Sequence, residues 1–411
     1  MACNEPSSYF EAANSPEWLK AMQDEIDMIE KNGTWQLTRK PDSKQAIGVK
    51  WAPRAWYSRI DSHLIQQGFE RSPNEATLYV KHYEEEKRII VSVYVDDLLV
   101  TGTASNFLIE FKKQMEKEFE MSDLGPMKYF PGIEITQCDS GIFISQKKYD
   151  LDILKKFKLE SCKPVATPLI LNETLSKNDE KLLNPSIFRS LVGSLLYLTA
   201  TRPDSMFSAS LLSRFMSSPS QTHLGAAKRV LKFLKGSADH GIWYLRTRDV
   251  NLIGYADSDW AGSIDDMKST SGYLFSLGSG VFSWNAKKQD VVAQSTAEAE
   301  YISAAAAANQ AIWLRNLLND LGFQCSSPTK LFCGNKSAIA IAENPIQHGR
   351  TKHINVKYHA IRKAEKNLQI KLIHCSSEEQ LADSLTKPLP NGRFDDLKMK
   401  IGMCKANLKE C

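Results

Sequence analysis

No Cys-x-x-Cys pair occurs in these 411 residues. The eight cysteines, at 3, 138, 162, 325, 333, 375, 404 and 411, are too scattered for a zinc site or a disulfide framework. Such thiols suit a reducing compartment. No run of about 18 apolar residues is present, so no membrane-spanning helix and no membrane partner is expected. Met1–Trp18 lacks the basic start and apolar stretch of a secretory signal, so the expected location is cytoplasmic or nuclear, not secreted. Charge of one sign is also missing: 52 Lys and Arg against 48 Asp and Glu leave +4. That balance permits nucleic-acid binding without arguing for it. There is no internal repeat, and the Ala304–Ala308 run is merely good helix sequence.

What is present is globular. Hydrophobic residues make up 42% and charged residues 24%, and the length suits two or three domains. Ser15 as N-cap, Pro16 at the first helical position and Trp18, Met22, Ile26 and Ile29 at helical spacing predict a first helix, stopped by Gly33. Short strands are expected at Thr34–Leu37 and Ala46–Trp51, a helix at Ala55–Gln67, and strands at Thr77–His82 and Arg88–Tyr94. Val95-Asp96-Asp97-Leu98 then reads as a hairpin tip, and the chain returns through Thr101. A helix over Asn106–Phe119, strands around Gly132–Ile135 and Gly141–Ile144, and a helix at Lys147–Phe157 complete this block. Residues 160–180, with Pro164 and Pro168, form a linker. Helices at Pro185–Ala200, Met206–Ser217 and Thr222–Lys235 follow.

The last region interleaves its elements. Leu252–Ala256, Tyr273–Ser276 and Val281–Trp284 read as strands before a long helix from Thr296 to Leu321. Strands at Lys330–Cys333 and Gln369–His374 alternate with helices at Ser337–Glu343, Lys352–Lys366 and Glu378–Leu385. That order makes a mixed α/β sheet.

Three carboxylates stand out there. Asp257 directly follows the strand Leu252–Ala256, where an ordinary turn aspartate would also serve. Glu300 heads a helical stripe of Ala304, Ala307, Ala311, Leu314 and Leu318, so it points inward. Buried carboxylates need a partner or a metal; the bland alternative is a glutamate reaching out at the helix N-terminus. Asp383 sits within Leu381-Ala382-Asp383-Ser384-Leu385 and could equally face solvent. Together they could converge on Mg²⁺, which favours hard oxygen ligands and supports phosphodiester hydrolysis in two-metal sites.

The surrounding motifs, Gly254-Tyr255-Ala256-Asp257-Ser258-Asp259-Trp260-Ala261-Gly262, Ser269-Thr270-Ser271-Gly272-Tyr273, Gln294-Ser295-Thr296-Ala297-Glu298-Ala299-Glu300-Tyr301, Arg350-Thr351-Lys352-His353-Ile354 and Gln380-Leu381-Ala382-Asp383-Ser384-Leu385-Thr386-Lys387-Pro388-Leu389, occur in the order seen in copia-type RNase H domains, which this region resembles. By that resemblance Asp257, Glu300 and Asp383 are the metal-binding and catalytic carboxylates, with Asp259 and Glu298 ranked second. The family carries a fourth carboxylate in a Cys-Asp-Asn-x-Ser-Ala run. Here the run is Cys333-Gly334-Asn335-Lys336-Ser337-Ala338, so Gly334 removes one ligand and hydrolysis is expected to be lost or strongly reduced.

The hairpin pair Asp96 and Asp97 taken alone could be an exposed acidic turn. Its surroundings, Ala52-Pro53-Arg54-Ala55-Trp56-Tyr57, Gly68-Phe69, Leu78-Tyr79-Val80, Tyr129-Phe130-Pro131-Gly132-Ile133-Glu134, Ala166-Thr167-Pro168 and Leu191-Val192-Gly193-Ser194 to Thr201-Arg202-Pro203-Asp204, resemble copia-type reverse transcriptase. Pro131 departs from the usual Leu and puts its strand in doubt. The resemblance assigns Asp96 and Asp97 as metal-binding and catalytic residues of a polymerase, whose chemistry needs a third carboxylate on another strand. In the family that residue lies between Gly-x-Lys-Trp and Ala-Pro-Arg-Ala-Trp. Here Gly48-Val49-Lys50-Trp51 runs straight into Ala52-Pro53-Arg54, so the intervening segment is absent.

The expected architecture is therefore α/β and α+β. It comprises a truncated reverse-transcriptase palm/thumb-like region over 1–160, a linker and helical connection over 161–245, an RNase H-like mixed sheet with flanking helices over 246–390, and a tail over 391–411. The implied cofactor is Mg²⁺ and the implied partner an RNA–DNA hybrid or other nucleic acid. Two readings compete with an active polymerase and RNase H. One is a non-catalytic relic that binds nucleic acid, with Lys228, Arg229, Lys232 and Lys235 as a basic patch or simply a solvated helix face. The other is a gene-prediction artefact spliced at Trp51/Ala52.

Overall fold

The computed structural model describes residues 14–31, 52–83, 87–177, 184–247, 251–343 and 359–406. The expected strands at Thr34–Leu37 and Ala46–Trp51, the Gly48–Trp51 side of the shortened junction, and the Arg350–Ile354 motif lie outside them. The chain divides into two units, one of Met1–Gly125 with Leu317–Phe323, the other of Pro126–Asn316 with Gln324–Cys411.

The first unit begins with α1 (Pro16–Lys31), whose first helical bond runs from Leu19 N–H to Ser15 O at 2.9 Å. Helix α2 (Ala52–Gln66) leads to Gly68, whose φ of 85° turns the chain away. Strands β1 (Glu70–Arg71), β2 (Leu78–His82), β3 (Arg88–Tyr94) and β4 (Asp97–Gly102) pair antiparallel in that order, and α3 (Ser105–Glu118) follows. Alternation along β3 sends Ile89, Val91 and Val93 to one face. There they meet Ile60 and Leu64 of α2 and Phe111 and Met115 of α3. By contrast, Tyr94 and Leu99 remain exposed.

The second unit opens with strands β5 (Tyr129–Phe130), β6 (Ile133–Cys138) and β7 (Gly141–Ser145). Helices α4 (Lys147–Lys156), α5 (Ser186–Leu198), α6 (Pro203–Ser213) and α7 (Gln221–Ser237) lead to β8 (His240–Leu245). Then come β9 (Leu252–Ser258), β10 (Thr270–Leu277), β11 (Val281–Lys288), α8 (Thr296–Asp320), β12 (Thr329–Cys333), α9 (Lys336–Glu343), α10 (Ala360–Lys366) and β13 (Ile370–His374). A 3₁₀ turn (Leu381–Leu385), α11 (Asn391–Lys400) and β14 (Met403–Lys405) end the described chain.

One five-stranded sheet has the order β11-β10-β9-β12-β13. Its first three strands are antiparallel, and β12 runs parallel to both β9 and β13. This is the mixed sheet expected from the alternating elements. The other sheet, β14-β8-β7-β6-β5, is antiparallel. It joins residues from the expected reverse-transcriptase region, the connection and the tail. Three of its strands, β5, β8 and β14, had no counterpart in the sequence reading. Pro131 does not prevent β6: it sits in the turn before that strand, where its carbonyl accepts from Tyr197 Oη at 2.7 Å. The helical core packs Phe188, Leu191 and Leu195 of α5 against Leu212, Val230, Leu231 and Leu234, and Phe394 and Leu397 of α11 join it.

Candidate functional site

Asp257 lies one residue inside the end of β9, because the strand continues to Ser258, and it stands opposite Gly272 of β10. Glu300 lies early in α8. The stripe it heads is buried throughout: Ala304, Ala307, Ala311, Leu314 and Leu318 are all core residues. Ser303 Oγ ties the helix to the sheet, donating to the carbonyl of Asp257 at 2.6 Å. Asp383 comes from the 3₁₀ turn rather than from the regular helix expected over Glu378–Leu385. Gln380 caps that turn, its Oε1 accepting from Ala382 N–H at 3.2 Å, and its Nε2 donates to Ala256 O at 3.0 Å. The turn is thereby pinned to β9.

This construction brings all three carboxylates into one buried cluster. Asp257 and Glu300 are hydrogen-bonded to each other. Thr386 Oγ1 donates to Asp257 Oδ2. The Cys333 thiol lies 3.7 Å from Glu300 Oε2. Lys387 Nζ stands 2.7 Å from Asp383 Oδ1 and 3.7 Å from Asp257 Oδ2, and Arg393 Nη2 is 3.7 Å from Asp383 Oδ2. Burial pushes Glu300 up to about 9, reinforced by the neighbouring Asp257. Asp257 rises less, to about 6, because Lys387 opposes the effect of burial. Burial also works against charge on Lys387, but Asp257 and Asp383 outweigh it and hold the ammonium above its ordinary range.

Gly334 follows β12 beside this cluster. A Cβ there would lie 3.8 Å from both Glu300 Oε1 and Gln380 Nε2, an ordinary contact distance. Space for a side chain exists, and glycine leaves it without a donor. The second-ranked residues hold local structure. Asp259 Oδ1 accepts from the Thr270 backbone N–H. Glu298 Oε2 accepts from Gln294 N–H at 2.8 Å at the start of α8, while Ser295 Oγ accepts from Glu298 N–H at 3.2 Å.

Gly272 permits the close approach of the 3₁₀ turn. An added Cβ would lie 2.7 Å from Leu385 Cβ and 2.8 Å from Thr386 Cγ2. Gly272→Ala must push the turn outward. It should destabilise the unit by about 1–3 kcal/mol, as overpacking does, read as a lower urea midpoint.

In the other unit, Asp96 sits with Val95 at the exposed tip between β3 and β4, and Asp97 opens β4, where it pairs with Tyr94. Val95 adopts φ 55° within the turn, and Trp56 Nε1 donates to its carbonyl at 2.9 Å. Among the described residues neither carboxylate has an ion-pair partner, and neither is joined by a third acid. The sequence reading missed Lys387, Arg393, Thr386 and Gln380 as partners of the cluster. Gln380, Thr386 and Lys387 lie in the same motif as Asp383, but contacts between turns leave no periodic signal.

The family model described as reverse transcriptase (RNA-dependent DNA polymerase) matches residues 24–171. The retrovirus-related Pol polyprotein from transposon RE2 of Arabidopsis thaliana is 39% identical over 363 residues, covering 88% of this chain and 25% of that protein. A Ty5-1 transposon protein of Saccharomyces cerevisiae is 32% identical over 296 residues, covering 70% of this chain and 96% of its own length. The chain spans about a quarter of the length of the Pol polyproteins it matches. RNase H1 from Halobacterium salinarum superposes with a TM-score of 0.22 at 17% identity, covering 36% of this chain and 98% of that structure.

Proposed function

This chain belongs to the copia-type retrotransposon Pol polyproteins, and on that premise we propose that it is their reverse transcriptase and RNase H portion with both catalytic centres incomplete. The observation that carries the reading is the convergence of Asp257, Glu300 and Asp383 beside Gly334, where a fourth carboxylate would belong.

Magnesium is the cofactor the resemblance implies, and the donor set does not fit it. Both Asp383 oxygens face cations, Lys387 and Arg393. Asp257 and Glu300 are engaged with each other. Among the described residues no group of three or more His, Cys, Asp or Glu side chains is placed to hold a metal ion. No hydrolytic step is therefore derived through such an ion. Among the described residues the hairpin pair Asp96 and Asp97 likewise stands without the third carboxylate that polymerisation needs.

Primer extension on an RNA template is expected to stay at background, and so is cleavage of the RNA strand of a hybrid in Mg²⁺. Templated extension would overturn the first expectation, and cleavage at rates usual for RNase H enzymes the second. A second reading, nucleic-acid binding without chemistry, draws on α7. Lys228, Lys232 and Lys235 are exposed there, while Arg229 is partly buried and donates to Thr167 Oγ1 at 3.1 Å. An RNA–DNA hybrid is the ligand to test. Replacing the three lysines with Gln should reduce the salt dependence of any gel shift by roughly one power of salt per lost phosphate contact.

A further inference from the structure

We propose that Lys387 is the resident cation of the carboxylate cluster and that it excludes divalent metal from it. The proposal rests on the reading of Asp257, Glu300 and Asp383 as the former metal-binding set. The ammonium of Lys387 is shared between Asp383 Oδ1 at 2.7 Å and Asp257 Oδ2 at 3.7 Å. It stands between two of the acids that would hold a metal ion. Arg393 takes the remaining Asp383 oxygen and is itself anchored, donating to Glu378 O and Ser377 O at 2.6 Å each.

The tether of Lys387 is short and fixed. Its backbone N–H donates to Asp383 O at 3.3 Å, and Thr386 N–H donates to the same carbonyl at 3.2 Å. Leu389, two residues on, is buried in the helical core. A cation held this way acts at a high effective concentration, against which a free ion must compete. The incoming ion gains little in return. Glu300 is hydrogen-bonded to Asp257, and Gly334 offers no carboxylate although its Cβ position lies 3.8 Å from Glu300 Oε1. A divalent ion beside an undisplaced Lys387 would meet like charge. Lys387 is still 43% exposed, so its side chain can be shortened without opening a core cavity.

Mn²⁺ is the probe. The full chain is titrated while the electron paramagnetic resonance signal of free Mn²⁺ is followed, with no nucleic acid present. Wild type should leave the Mn²⁺ signal that of free ion, and its thermal midpoint should not move in about 10 mM Mg²⁺. Lys387→Gln should bind Mn²⁺ at least about tenfold tighter and gain a Mg²⁺-dependent rise in midpoint. Lys387→Arg should behave as wild type, and Gly334→Asp combined with Lys387→Gln should bind more tightly still. Wild-type binding as tight as that of Lys387→Gln overturns the proposal. So does failure of both folded variants that lack Lys387 to bind. The wild-type titration keeps the claim falsifiable even if a variant does not fold. Because hybrid binding and cleavage are not read, failure of the proposed ancestry-based function shows up separately, in the gel and primer assays.

Discussion

Arg202→Ala is expected to destabilise the second unit by about 3–5 kcal/mol, the range for breaking a buried ion pair by removing one partner. Arg202 is fully buried, as are Asp150 and Asp204. Its Nε and Nη2 grip the two oxygens of Asp204 at 2.9 Å each, and Nη1 lies 3.1 Å from Asp150 Oδ2. Ser237 receives two more bonds, at its carbonyl from Nη1 at 3.0 Å and at its hydroxyl from Nη2 at 2.6 Å. The guanidinium carbon lies 5.6 Å from the centre of the Phe233 ring. One side chain thus joins α4, the start of α6 and the end of α7. Removing it strands two carboxylates in the core. Burial already pushes Asp150 up to about 7 against the pull of Arg202. Lysine cannot reproduce the two-pronged grip on Asp204, so Arg202→Lys should recover only part of the loss. Urea unfolding of the full chain, followed by a probe in the second unit, measures both. A loss below about 1 kcal/mol for Arg202→Ala would mean that this network contributes little.

That network shows where sequence reading stops. Thr201-Arg202-Pro203-Asp204 was legible as a break between helices, but α6 begins at Pro203, three residues before the expected Met206, with the proline in its first turn. Nothing in local sequence says that an arginine between two helices is buried, because two of its three partners, Asp150 and Ser237, lie 52 and 35 residues away. Periodic signals carried further. The 300-304-307-311-314-318 stripe put Glu300 inside before any coordinates, and every member is buried. The Asp96-Asp97 hairpin was legible too, although its turn is tighter than expected: only Val95 and Asp96 lie outside the ladder, and Asp97 already belongs to β4. The C-terminal stretch was read as a tail although Phe394, Leu397 and Ile401 recur at helical spacing. All three are buried, in α11 and just beyond it. There the periodicity spans hardly two turns, and four lysines and aspartates among ten residues masked it. Strand β8 was missed for another reason: Ile242-Trp243-Tyr244-Leu245 is apolar without alternation, a pattern that helix and strand share.

Glu300 offers the second large effect. Burial, with Asp257 alongside, holds its pKa near 9 in the folded chain, against an ordinary value of 4.5. The folded state therefore keeps a proton that the unfolded chain releases. The stability linked to this group is fully present below about pH 4.5 and is lost as the pH rises through 9, at roughly 1.4 kcal/mol per pH unit between those limits for an uncoupled site. Asp257, raised to about 6, adds a loss of the same sign over a lower and narrower interval. Glu300→Gln keeps the shape and the donor toward Asp257 but has no proton to lose. Near pH 8 the variant is expected to be more stable than wild type by on the order of a few kcal/mol, with coupling to Asp257 reducing the uncoupled figure. The two should converge near pH 5. Midpoints of thermal unfolding across that range decide the matter. A constant difference between the proteins would mean that Glu300 is ionised in the fold. Its charge would then have to be balanced by Lys387, the nearest cation to the Asp257 with which it is paired.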